Sequence, residues 1–223
     1  PRPSPPLRLD RLTLARVFRG DIVNWRDPAI LALNPALRAD MPDACIQVVA
    51  RGDSSGTTEI FKKALSSFDP VFMQAIGTAP TGGPSGWPTT FIPNLYCRGI
   101  EFRDGNQGVA AYVLNTPGAI GYASLGTADY FDLQRAWMMQ GQNAVEPTAE
   151  SAMYAALEKG LVVAEDEIGG GSQQSGSQEC EVAGINNNFT PEITDSRGML
   201  SWPISGLTYL IIRTGCPNTR LRL

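Results

Sequence analysis

The chain has 223 residues, of which 43% are hydrophobic and 18% charged, a balance that describes a globular protein able to bury a core in one domain or two small lobes. A formal net charge of −4 argues against a broad nucleic-acid or anionic-membrane footprint. There is no histidine, which removes the Ser-His-Asp triad, the usual imidazole base and the usual zinc ligand together.

In chain order, PRPSPP (1–6) reads as a Pro-rich linker or tail and not as a signal peptide. Leu12, Leu14, Ala15, Val17 and Phe18 mark a short apolar-faced helix with Thr13 near its start and Gly20 at its end. A second short helix follows in DPAILALNP, with Asp27 as N-cap and Pro28 at its first position. The run CIQVVA, Cys45 to Ala50, is β-branched and apolar and predicts a buried strand. It feeds the loop RGDSSG and a helix over TTEIFKKALSSF.

DPVFMQAIG predicts another short helix, and TAPTGGPSGWPTTFIPN a long irregular loop. NQGVAAYVLNTPG predicts a helix capped by Asn106, AIGYASL and QRAWMMQG predict strands, and PTAESAMYAALEKG a helix with Thr148 as N-cap. Residues 165–185 are a Gly/Ser-rich loop expected to be flexible, and WPISGLTYLIIR is the strongest strand signal. Short strands alternating with helices specify an α/β fold. No apolar run is long enough for a membrane span.

Cys45, Cys97, Cys180 and Cys216 are widely spaced and contain no CxxC pair, which disfavours zinc. Two disulfides, with three connectivities open, suit an oxidising compartment; four buried thiols is the alternative. Asn188-Phe189-Thr190 is a permitted glycosylation sequon and, with the cysteines, points to secretion. The four tryptophans and Met138-Met139 read as packing residues, and the acidic run Glu165 to Glu167 as a solvated loop.

The loop VARGDSSGTTEIF admits three readings: a cell-adhesion tripeptide at Arg51-Gly52-Asp53, a plain helix cap, or an anion site. The first N–H groups of a helix lack intrahelical partners and carry the positive end of its dipole. Gly56 permits close backbone approach, Ser55 and Thr57 add hydroxyl donors, and Arg51 supplies a planar charged fork. Asp53 can hold Arg51 in place or accept a proton from a protonated oxyanion. The Walker A spacing is absent.

VARGDSSGTTEIF resembles the phosphate-contacting segment, Arg-Ser-Asp-Gly-Ser-Gly-Thr-Thr, of periplasmic phosphate-binding proteins of the high-affinity phosphate transporter type. LTLARVFRGDIVNWRDPAILALNP, GVAAYVLNTPGAIGYASL, VEPTAES and SWPISGLTYLII resemble further blocks of that family in the same order, from about Leu7 to Arg213. The resemblance implies a type II periplasmic-binding-protein-like α/β lobe with a mixed, doubly wound sheet. It places Arg51, Ser55, Gly56 and Thr57 on phosphate-contacting positions and Asp53 on the acidic companion of the arginine. Gly52 and Ser54 depart from the pattern, where the family has Ser and Gly.

Family members carry an opening segment that builds much of a first lobe, and C-terminal helices that complete it. The resemblance therefore implies that residues 7–200 form the second lobe and that 201–223 return toward the first. The opening segment and the C-terminal helices are expected to be missing. TTFIPNLYCRGIEFRD and the Cys180 loop read as additions.

The function expected is non-catalytic binding of inorganic phosphate without a cofactor or metal, with no nucleic acid and no membrane insertion. The location expected is secreted, extracellular or cell-surface, periplasmic in a bacterium. The alternative is a degenerate lobe acting as a structural module, its exposed face around WPISGLTYLII covered by another protein chain or by the missing segment. An enzymatic reading such as a phosphatase lacks a nucleophile–base pair.

Overall fold

The computed structural model describes residues 5–88, 99–159 and 192–207. Strand β2 (Gln47–Arg51) is its centre, five buried residues in a row, as a strand covered on both faces requires. It lies between β3 (Glu101–Arg103) and β4 (Ala119–Gly121), parallel to both, with Val49 opposite Glu101 on one side and Gly121 on the other. A second sheet runs β1 (Arg8–Leu9), β5 (Trp137–Gln140), β6 (Asn143–Val145); β1 and β5 are parallel, β5 and β6 antiparallel.

Alternate side chains of β2 serve the two faces of its sheet. Val48 and Ala50 join a core with Phe18 of α1 (Arg11–Arg19) and Phe61 and Leu65 of α3 (Gly56–Phe68). Val49 meets the opposite layer, where a Cβ on Gly121 would lie 2.7 Å from Val109 of α6 (Gly105–Asn115) and 2.8 Å from Val49 itself. Phe61 stacks on Tyr122 with ring centroids 4.3 Å apart, and Phe18 meets Phe61 edge-on at 4.7 Å. Each such pair adds about 0.5–1.5 kcal/mol beyond area burial. The chain passes from β2 through α3 to β3, then from β3 through α6 across to β4, so its direction reverses between β2 and β3. In a parallel sheet that reversal opens a crevice at the carboxyl ends of the strands, where ligands bind.

Local chemistry sets the helix ends. Asp27 caps α2 (Pro28–Leu33), Asp69 caps α4 (Pro70–Ala75), and Thr148 with Ser151 forms a capping box on α8 (Ala149–Glu158). Gly20 ends α1 in the left-handed conformation, at φ 87°. Helix α1 starts at Arg11 with Thr13 in its first turn: Asp10 is the cap, and its carboxylate accepts the Thr13 N–H at 2.7 Å. The cap of α6 is corrected. Asp104 holds the N-cap position, and Asn106 lies inside the first turn.

Other departures come from short elements. The three-residue strand β3 is the end of the stretch read as an addition, and it is built into the central sheet. Helix α7 (Leu125–Tyr130) follows β4 directly, and a single helical turn, α5 (Gly83–Gly86), interrupts the Gly/Pro loop. Residues 202–207 of the expected last strand run as irregular chain, and 208–213 lie outside the described residues. Trp25 and Trp87 are buried and Met138 fills the core, whereas Trp137 and Trp202 are half-buried. Cys45 is disulfide-bonded; Cys97, Cys180, Cys216, Asn188, the 165–185 loop and Glu165 to Glu167 lie outside the described residues.

Candidate functional site

Arg51 ends β2, and α3 begins five residues later, so one short loop delivers both a guanidinium and a helix N-terminus to the carboxyl edge of the sheet. Ser55 is the N-cap: its hydroxyl oxygen accepts the Thr57 N–H at 3.1 Å and keeps its own proton to donate. Glu59 is the first residue of the helix to enter the backbone ladder, donating to Ser55 O at 3.0 Å. The N–H groups of Gly56 and Thr58 find no acceptor among the described residues. Gly56 is exposed, and nothing lies within 4 Å of where its Cβ would be. A thirteen-residue helix thus presents its positive end to solvent.

Arg51 is only 8% exposed. Its Nε donates to Asp53 Oδ1 at 2.7 Å, its Nη2 to Asp53 Oδ2, and its Nη1 to Asn106 Oδ1 at 2.9 Å. These bonds use three of the five guanidinium N–H groups and leave two without an acceptor among the described residues. Asp53 also accepts the Gly105 N–H at 3.1 Å, which ties the start of α6 to the loop. The hydrogen bonds from Arg51 hold the Asp53 carboxyl well below the usual range, and Asp53 in turn raises the Arg51 pKa. Both oxygens of Asp53 accept from Arg51, so this carboxylate holds the guanidinium in place.

The backbone is fixed from below and from the side. The Arg51 N–H donates to Tyr122 Oη at 3.1 Å, the Ser55 N–H donates to Pro80 O at 3.0 Å, and a Cβ on Gly82 would meet Asp53 O at 2.2 Å. Beneath the 80–86 turn lies Lys62, fully buried, donating to Thr81 O at 3.0 Å and Gly86 O at 2.6 Å. The adhesion reading of Arg51-Gly52-Asp53 fails on this geometry: the arginine is buried and is paired side-on with the aspartate beside it.

The structure therefore brings Arg51, Asp53, Ser55, Gly56 and Thr57 together, and adds Asn106 and Ser124, which sequence reading missed. Asn106 Nδ2 donates to Ser124 Oγ at 3.1 Å, and Ser124 Oγ lies 2.9 Å from Thr127 Oγ1. No local pattern announces Asn106, because a side chain at a helix start reads as a cap until the strand beside it is known.

Fold and site together define an α/β lobe of the periplasmic-binding-protein type, with an anion-complementary helix start at the carboxyl edge of its sheet. Residues 1–168 match the PBP superfamily domain, and the chain belongs to that superfamily. It is 33% identical over 212 residues to the phosphate-binding protein PstS of Xylella fastidiosa strain 9a5c, covering 93% of this chain and 47% of that one. Against the phosphate-binding protein PstS of Pasteurella multocida the identity is 31% over 209 residues, covering 92% and 49%. The chain spans about half the length of these curated relatives. Among solved structures it resembles a high-affinity periplasmic phosphate-binding protein with phosphate bound, at TM-score 0.45 and 24% identity, covering 72% of this chain and 41% of that one. It also resembles the ancestral soluble variant of the human phosphate binding protein, at TM-score 0.45 and 23% identity, covering 74% and 44%.

Proposed function

We propose that this chain holds inorganic phosphate, without transforming it, at Arg51, Ser55, Gly56 and Thr57, with Asp53 keeping the arginine in place. The observation that carries this reading is a buried guanidinium, clamped on one side and with two N–H groups unspent, beside the unpartnered N–H groups that open α3. Fixed donors of this kind suit a compact oxyanion with several acceptor oxygens. The names of the PstS relatives agree with that ligand. Calorimetry of the full chain with inorganic phosphate tests it: binding heat is expected for the wild type and is lost in Arg51→Ala. Equal heats in the two proteins would overturn it.

Residues 7–200 are, on this reading, the second lobe of a two-lobed clamp, with 201–223 leading toward the first. A clamp surrounds its anion from both sides, so one lobe alone leaves phosphate oxygens competing with water and the affinity is low. The partner completing it is another protein chain or a segment beyond the 223 residues. Met199 and Leu200, 68% and 59% exposed just before the half-buried Trp202, favour such a contact, and they also support the structural alternative. Secretion, two disulfides drawn from Cys45, Cys97, Cys180 and Cys216, and a glycan on Asn188 belong to the same proposal.

A further inference from the structure

We propose that Asn106 is a positioning residue of this site, locking the Arg51 guanidinium with a neutral acceptor so that no further negative charge is set against it. The inference rests on the phosphate reading and names what sets the arginine's geometry and charge. Asp53 takes Nε and Nη2 side-on, which leaves Nη1 to be fixed by something else, and Asn106 Oδ1 does so at 2.9 Å. The amide cannot be reversed without loss. Its other end donates to Ser124 Oγ at 3.1 Å, and turning it over would set an NH₂ group against the guanidinium.

The choice of amide over acid is informative. Position 106 lies in the first turn of α6, where the helix dipole favours a carboxylate, and an aspartate there could accept from Nη1 equally well. The site already holds one carboxylate against Arg51, at Asp53, and a second, Asp104, acts on it through space. Another negative charge in contact with the guanidinium would add to the repulsion that an incoming anion meets from these two carboxylates. Asparagine keeps the hydrogen bond and omits the charge.

The test uses the full chain with two variants and two measurements. Side-chain NMR of the arginines reports whether the Nη groups of Arg51 rotate freely, and calorimetry reports inorganic phosphate binding at pH 7.5. In Asn106→Ala, Arg51 Nη rotation is expected to become fast and phosphate affinity to fall roughly tenfold. In Asn106→Asp, the guanidinium is expected to stay locked while affinity falls at least as far, a split that a merely structural role would not produce. If the alanine variant does not fold, Asn106→Leu, which keeps the branched outline of the side chain, replaces it. An Arg51 equally immobile without the Asn106 acceptor overturns the positioning role, and wild-type affinity in Asn106→Asp overturns the charge argument. If the wild type takes up no phosphate, the proposed function fails while the Arg51 rotation still decides whether Asn106 positions it.

Discussion

Thr58 Oγ1 and Tyr122 Oη lie 2.8 Å apart, both buried, and the same tyrosine oxygen accepts the backbone N–H of Arg51 at 3.1 Å. One hydroxyl thereby joins the end of β2, the first turn of α3 and the residue after β4. This is the joint that sets the angle at which the helix N-terminus meets the arginine.

Tyr122→Phe keeps the ring stacked on Phe61 and removes only that oxygen, leaving a buried N–H and a buried hydroxyl without their partner. Unsatisfied buried groups cost about 1–3 kcal/mol each, so a loss of roughly 2 kcal/mol is expected in urea melts. Phosphate affinity should fall with it. A variant as stable as the wild type would show that the joint is not needed.

Lys62 supplies the pH dependence. It is fully buried against Trp87, with Nζ 5.0 Å from the ring centroid, and burial pushes its pKa down to about 8. Among the described residues its hydrogen bonds go to the carbonyls of Thr81 and Gly86, and no carboxylate pairs with it. Because the folded pKa lies below that of the unfolded chain, the unfolded state binds more protons between the two values, and stability rises with pH across that window. The wild type is expected to gain up to about 3 kcal/mol between pH 8 and pH 10.5. Lys62→Met should be less stable throughout, since it strands two carbonyls, but should lack this slope. Parallel slopes for the two proteins would show that Lys62 titrates alike in both states.

The elements legible in the sequence were those with a local signature. The buried run before Arg51, the Ser55 cap, Asp27-Pro28, Gly20 and Thr148 announce themselves within four residues. Strands β1, β3 and β6 do not, because at two or three residues they are too short for a period of two to register and exist through their neighbours. The start of α3 was readable from Ser55-Gly56-Thr57. Tyr122, Lys62 and Asn106 were not, since their roles arise from contacts 71, 24 and 55 residues away. Of the last apolar run only 202–207 are described, and there Trp202 and Ile204 pack on the core from an irregular segment, so their hydrophobicity records burial and not strand pairing.

Gly82 separates close approach from backbone freedom. Its φ of −91° suits any residue, yet a Cβ there would fall 2.2 Å from Asp53 O and 2.7 Å from Arg51 O. Gly82→Ala must therefore push the 80–86 turn off the anion loop. Overpacking of this kind costs about 1–3 kcal/mol, and the expected outcome is a lower melting temperature together with weaker phosphate binding. An unchanged melting temperature would mean that the two loops do not bear on each other in solution.

Gly56→Ala should do the reverse for stability. The residue is exposed at the first position of α3, and an added Cβ would meet nothing within 4 Å. Alanine is the better helix former and restricts the unfolded chain, so a gain of about 0.5 kcal/mol is expected. The same methyl group stands beside the free N–H of residue 56, on the path by which an oxyanion would reach the helix end. Phosphate affinity is therefore expected to fall at least several-fold while the melting temperature holds or rises. That opposition distinguishes a glycine kept for ligand approach from one kept for the fold, and equal or tighter binding by the variant would remove Gly56 from the site.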